Sequence, residues 1–239
     1  MNIKICGTSY TLNTDKPINL LSTLFNIKHK QNRSLSFKSG CKSGICGSCA
    51  VRVNGIEVLA CKTNINDNDE VMPLNNLPLI KDLVVNSDSS IQLQKAKASL
   101  HTNSQNKISN EDKNAIDLES NCILCSSCIS VCPVYTVNQN FIAPYALMRN
   151  YRYINDKKEK EIDSKLKAVQ ENGIWDCTLC GNCNLICPSQ IDIKGDIQML
   201  RNKSAQFGYN NKNLDIGFNT NLDFMNQDIK SCGFDPNAF

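Results

Sequence analysis

Between residues 122 and 188 the chain spells one string twice. Cys122, Cys125, Cys128 and Cys132, followed by Pro133, recur as Cys177, Cys180, Cys183 and Cys187, followed by Pro188, all shifted by 55 residues. A third group, Cys41, Cys46, Cys49 and Cys61, stands ahead of them, so twelve of the 14 cysteines fall in three tight sets. Any fold for this chain must bring those thiols together. Disulfides are a poor account of them, since disulfide frameworks belong to short secreted chains, and residues 1–13 alternate like a strand and show neither a signal-peptide core nor twin arginines.

Each half of the repeat reads Cys-x2-Cys-x2-Cys-x3-Cys-Pro, a spacing that holds [4Fe–4S] clusters. In such doubled runs the fourth cysteine ligates the other cluster, because a short turn carries it across. The expected sets are therefore Cys122, Cys125, Cys128 with Cys187, and Cys132 with Cys177, Cys180, Cys183. A pair of zinc knuckles explains the doubled run less well. The front group, Cys41-x4-Cys46-x2-Cys49-x11-Cys61, has plant-type [2Fe–2S] spacing. Gly40, Gly44 and Gly47 let that loop wrap closely and aim N–H groups at sulfur, and Ser48 adds a hydroxyl. The four-residue gap and the glycines disfavour a four-cysteine zinc site. Neither His29 nor His101 adjoins a cysteine run, which argues against a Rieske-type centre. Cys6 reads as a small buried apolar residue and Cys232 as a free thiol in the tail.

The first 75 or so residues predict strands around one helix. Met1–Cys6 and Tyr10–Asn13 alternate about a Gly7-Thr8 turn, and Pro17 is expected to open a helix carrying Ile18, Leu21, Leu24 and Phe25. Ala50–Val53 and Ile56–Ala60 flank Asn54-Gly55, a strong hairpin signal. Residues 86–108 read as a linker or weak surface helix. Helices are expected over 143–154, 160–170 and 193–207, with Gly173 and Gly208 ending the last two. The charged stretch 155–161 reads as a solvated helix face.

The formal charge is +3, but each oxidised four-thiolate cluster carries about −2, so three of them bring the loaded chain to roughly −3. Nothing here suits nucleic acid. No apolar run approaches the roughly 20 residues of a membrane helix. There is no Walker loop and no Gly-x-Gly-x-x-Gly, so no nucleotide site is expected.

A plant-type cysteine loop ahead of two Cys-Pro runs resembles the iron–sulfur subunit of the succinate dehydrogenase and fumarate reductase family. The local text carries the likeness: Ser39 to Ala50, Leu59-Ala60-Cys61-Lys62, Pro78 to Val85, Asn121 to Pro133, Asn140 to Pro144, Arg152-Tyr153 and Asn172 to Cys177. It covers residues 1 to about 205, and Phe141-Ile142 and Gly173-Ile174-Trp175 look closer to fumarate reductases. The resemblance implies an α+β fold, with a β-grasp plant-type ferredoxin domain over 1–95 and an all-α bacterial-ferredoxin-like domain over 96–210. Residues 211–239 form a tail with no assignment. It also implies an electron relay with one [2Fe–2S] and two cubane-type clusters, and no substrate chemistry on this chain. The implied partners are a flavoprotein subunit, whose FAD interconverts succinate and fumarate, and a membrane-anchor quinone-reactive subunit. The chain is then peripheral on the membrane, on its cytoplasmic face.

Two departures stand out. Most relatives have an aliphatic residue at Cys180 and a [3Fe–4S] last cluster, whereas a fourth thiolate here implies [4Fe–4S]. That looks like branches with cysteine-rich anchors, methylmenaquinol-linked fumarate reductases among them. Thr136, Val137 and Thr178 stand where succinate dehydrogenases carry Trp and His near quinone. Arg201 matches a basic position near quinone in some fumarate reductases, although a solvated helix residue explains it equally well. The competing reading is an iron–sulfur subunit of a thiol- or heterodisulfide-linked reductase, for which the plant-type front is less expected.

Overall fold

Alternating apolar residues build the front half. The first strand, β1 (Asn2–Ile5), buries Ile3 and Ile5 and pairs antiparallel with β2 (Thr8–Thr11). Because Ile5 registers with Thr8, only two residues make the turn, and both Cys6 and Gly7 take the left-handed conformation, at φ +48° and +80°. Cys6 is consequently exposed, where the strand pattern predicts burial. The computed structural model describes residues 1–14, 16–101 and 105–211.

Pro17 does not open the helix. Ile18 is drawn into a short strand, β3 (Ile18–Asn19), that pairs with Asn64–Ile65, and Asn19 then caps α1 (Leu20–Lys30) by accepting the Ser22 N–H at 3.2 Å. The hairpin forms as β4 (Ala50–Val53) and β5 (Ile56–Leu59), followed by β6 (Asn64–Ile65) and β7 (Glu70–Met72). The mixed five-stranded sheet runs β2-β1-β7-β4-β5, with β1 and β7 parallel. The helix α1 buries Leu20, Leu21, Leu24 and Ile27 in the core that Ile3, Ile5, Val51 and Val71 share. Each such side chain contributes about 1.5–3 kcal/mol. A small hairpin, β8 (Leu79–Lys81) and β9 (Val84–Val85), closes this half.

The rest is helical: α2 (Ser90–Lys95), α3 (Asn110–Ser120), α4 (Ser127–Ser130), α5 (Pro133–Val137), α6 (Pro144–Ile154), α7 (Ile162–Ala168), α8 (Asn182–Leu185) and α9 (Ile193–Gln206). The central helix is α6, which packs against α2, α3, α4, α7 and α9 and buries Tyr145, Ala146, Leu147 and Met148. The α2 segment, read from sequence as a linker or weak surface helix, is a helix that packs inward, since Gln92 Oε1 accepts the Ala143 N–H at 3.0 Å.

Two further expectations change. The stretch 155–161 lies between α6 and α7 and buries Asp156 and Glu159. Glu159 pairs at 3.3 Å with Lys165, whose side chain is also fully buried and donates to the Lys97 and Ser99 carbonyls. That partner sits on the inner face of α7, which a run of mixed charges does not disclose. The left-handed residue after α7 is Asn172, at φ +50°, rather than Gly173. At Gly173 a Cβ would run into the Val169 carbonyl, so close approach explains this glycine.

The 55-residue repeat is also a repeat of backbone. Leu124 and Leu179 share φ near +53° (53° and 54°), Ser126 and Gly181 are both left-handed, and α4 and α8 begin and end 55 residues apart. Met1–Tyr209 form one compact unit with two hydrophobic cores, and Leu77 packs against both. Buried Ser130 on α4 donates to Glu57 on β5 at 2.6 Å across the two. The tail from residue 212, with Cys232, lies outside the described residues.

Candidate metal centres

Three of the front cysteines, Cys41, Cys46 and Cys49, sit on a loop between α1 and β4, and Cys61 follows β5. Cys41 and Cys46 are exposed, Cys61 is half-buried and Cys49 is buried. Backbone N–H groups of Ser43 and Ile45 point at the Cys41 sulfur from 3.4 and 3.3 Å, and the Cys41 N–H points at the Cys46 sulfur from 3.4 Å. The Ser48 hydroxyl lies 3.1 Å from the Cys46 sulfur. Hydrogen bonds from the Ser43 side chain, then from the Ser43 and Ile45 amides, hold the Cys41 thiol down at about 5. Burial does the opposite to Cys49, pushed up to about 11, with Cys61 within hydrogen-bonding reach. Asn19, the cap of α1, also donates to the Cys61 carbonyl at 3.0 Å. Gly47 is where this loop meets the next cysteine run. Its φ is +69°, and a Cβ there would lie 2.8 Å from both the Cys125 Cβ and the Ile123 carbonyl.

The eight cysteines of the two Cys-Pro runs line two cavities. Cys122, Cys125, Cys128 and Cys187 line one, closed by Tyr145, Met148 and Ile193. Cys132, Cys177, Cys180 and Cys183 line the other, with Pro144, Leu179 and Ile197. The fourth cysteine of each run thus faces the first three of the other. Burial raises the Cys122, Cys125, Cys132 and Cys177 thiols, takes fully buried Cys128 well above the ordinary value, and pushes Cys183 up to about 12. For Cys128 and Cys183 the neighbouring thiols add to the effect. Such groups are neutral unless a cation compensates them, so loading a metal centre releases protons.

The donor set fits iron–sulfur clusters. Among the described residues no three His, Cys, Asp or Glu side chains converge on one ion. Zinc, with Zn–S of about 2.3 Å, needs its sulfurs about 4 Å apart. Here the thiols instead ring a void, and N–H groups reach Cys132 from Tyr135 at 3.5 Å and Cys177 from Leu179 at 3.4 Å.

Arg201 is engaged elsewhere than at a surface. Its guanidinium donates to the carbonyls of Ile174, Trp175 and Cys177 and lies 5.7 Å from the Trp175 ring centre. Arg149, which the sequence does not single out, donates to the Cys122 carbonyl at 3.3 Å. Partners 27 residues apart leave no local signal.

Residues 3–92 match a family described as a 2Fe-2S iron-sulfur cluster binding domain, and residues 119–191 match a 4Fe-4S dicluster domain. The chain is 34% identical to the 8-methylmenaquinol:fumarate reductase iron-sulfur subunit of Wolinella succinogenes, over 80% of this chain and 65% of that protein. It is 33% identical to a subunit of the fumarate reductase (CoM/CoB) of Methanothermobacter marburgensis, over 84% of this chain and 41% of that protein. With the Haemophilus influenzae fumarate reductase iron-sulfur subunit it shares 30% identity, over 83% and 86% of the two chains. The chain thus spans about two fifths to two thirds of the first two relatives' length. In fold it is similar to a chain of the Mycobacterium smegmatis Sdh1 complex in the apo form, with a TM-score of 0.77 at 24% identity, covering 87% of this chain and 97% of that one.

Proposed function

This chain belongs to the fumarate reductase and succinate dehydrogenase family of iron–sulfur subunits, and from that membership we propose that it relays electrons between an FAD-containing flavoprotein subunit and a membrane quinone subunit. The observation that carries the reading is the pair of crossed quartets, each around its own cavity. In it, Cys41, Cys46, Cys49 and Cys61 hold a [2Fe–2S] cluster, and the two quartets hold [4Fe–4S] clusters. When bound, such clusters accept and return single electrons. The chain's own part is to hold the sulfurs, to exclude water around the two rear sites, and to aim N–H groups at sulfur, which tunes potential.

The reading treats residues 1–95 as a β-grasp plant-type ferredoxin domain and 96–210 as an all-α bacterial-ferredoxin-like domain. The family membership supports attachment through a membrane-anchor partner, which the reading puts on the cytoplasmic face; among the described residues no helix is long and apolar enough to cross a membrane. Arg201, held by three carbonyls beside Cys177, is the chain's contribution to the quinone end. The similarity to a protein named for CoM/CoB supports a second reading, in which a thiol pair replaces quinol as electron donor.

Anaerobically purified protein is expected to carry about ten iron atoms per chain and negligible zinc. Stoichiometric zinc, or iron near two per chain, would sink the three-cluster reading. Reduction of the assembled complex by a quinol, and not by a thiol pair, separates the two donors.

A further inference from the structure

The two rear sites are joined by a very short piece of chain. Cys128, in the first cavity, and Cys132, in the second, are separated by Ile129, Ser130 and Val131, the end of α4. A four-residue helix closes few bonds of its own, here the Val131 N–H on the Ser127 carbonyl at 3.3 Å and the Cys132 N–H on the Ile129 carbonyl at 3.0 Å, so further contacts are needed to hold this turn. What holds it comes from the front half. The Asn76 side-chain amide lies 2.9 Å from the Ile129 carbonyl, 3.2 Å from that of Ser130 and 3.3 Å from that of Cys132. The Thr136 hydroxyl, 3.1 Å from Asn76 Oδ1 and 3.0 Å from the Cys132 carbonyl, orients that amide. Next to it the Asn75 N–H donates to the Ser130 hydroxyl at 2.8 Å, which in turn donates to Glu57.

The residue type suits the place. Asn76 sits at φ +61°, a conformation that asparagine tolerates better than most residues, and its NH2 offers the donors that a ring of carbonyls needs. Glycine would suit the backbone but remove the amide, leaving the Ile129 carbonyl only the Cys132 N–H and the Cys132 carbonyl only its Thr136 partners. The loop is itself anchored, since Leu74 is buried in the front core and Leu77 packs against both cores.

We propose that Asn76 is a positioning residue for Cys132, clamping the turn that delivers this cysteine into the second cavity. Its effect reaches the second cluster by way of Cys132, and the inference rests on the ligand reading above. Cys128 depends on it less, because its own stretch of α4 packs against α6.

The test uses the full chain, loaded and purified without oxygen, with iron content and paramagnetic resonance as readouts. Asn76→Asp keeps size and backbone preference but sets a carboxylate against three carbonyl oxygens. It is expected to lose the second cluster, with iron falling from about ten toward about six per chain, while the [2Fe–2S] and first cubane signals keep their intensity. Asn76→Gly relieves the backbone and removes the amide, so a smaller loss of the same signal is expected; a gain would mean that backbone strain was the issue and would overturn the proposal. Full iron with unchanged signals in Asn76→Asp also overturns it. So does a proportional fall of all three signals, which marks a general staple. If Asn76→Asp does not accumulate, Thr136→Val is expected to show the selective loss in milder form, and its absence there overturns the proposal. A wild type lacking the second-site signal would sink the ligand reading before any substitution is made, and the proposal with it.

Discussion

The front site and the two rear sites solve one problem in opposite ways. At the front, two cysteines stand in water on a glycine loop, and the Ser43 side chain, then the Ser43 and Ile45 N–H groups, hold the Cys41 thiol down at about 5. At the rear the thiols line cavities among helices, and burial raises Cys122, Cys125, Cys128, Cys132, Cys177 and Cys183. At Cys41 hydrogen bonds favour the charged thiolate, while burial withholds charge from Cys49 at the front and from the rear thiols until iron supplies it. The lesson is that cysteine spacing says where ligands are, while surroundings decide how ready they are to bind.

Substituting one cysteine of each kind strains this contrast most. Cys128→Ser is expected to remove the first cubane and weaken the second, because Cys128 and Cys132 share one short turn, with a loss of at least about four irons per chain. Cys49→Ser is expected to cost only about two irons, since the four front cysteines all precede residue 62. Loss of both cubane signals in Cys49→Ser would erase the distinction between front and rear, and the boundary near residue 95 with it.

A smaller change sharpens the contrast within the rear half. Cys180 is the exposed member of its quartet. Cys180→Val is expected to leave Cys132, Cys177 and Cys183 holding a [3Fe–4S] cluster, about one iron fewer, visible by paramagnetic resonance in the oxidised protein. The anaerobic wild type is expected to lack that signal. Were it present and stoichiometric without any substitution, Cys180 would not be a ligand.

The smallest effect tests burial away from sulfur. Asp196 on α9 is buried, one carboxylate oxygen has no partner, and burial, then Glu119 and Asp192, push it up to about 8. Its value in the fold lies above that of the unfolded chain, so its contribution is complete below about pH 4 and is lost as pH rises toward 8. Stability of the wild type should fall across that window by up to about 1.4 kcal/mol per pH unit relative to Asp196→Asn. Thermal unfolding of both proteins from pH 5 to 8 measures this, and parallel curves would show that Asp196 is ionised in the fold.

Much of this was legible in the order of residues. Cysteine spacing marked three groups of thiols and the way each fourth cysteine joins the other run, and the Asn54-Gly55 hairpin and the helices over 143–154 and 193–207 followed from turn chemistry and periodicity, because those are local rules. The misplaced features depend on a distant partner or on local turn geometry that periodicity does not report. Ile18 left its helix to pair with Ile65, Glu159 went inward to meet Lys165, and Cys6 was turned outward by a two-residue connection. Only the tertiary structure could place Asn76 on the carbonyls beside Cys132, 56 residues away, or Arg201 on that of Cys177. Periodicity reports which face of an element is apolar; which element that face meets depends on packing, and no window along the chain contains both partners.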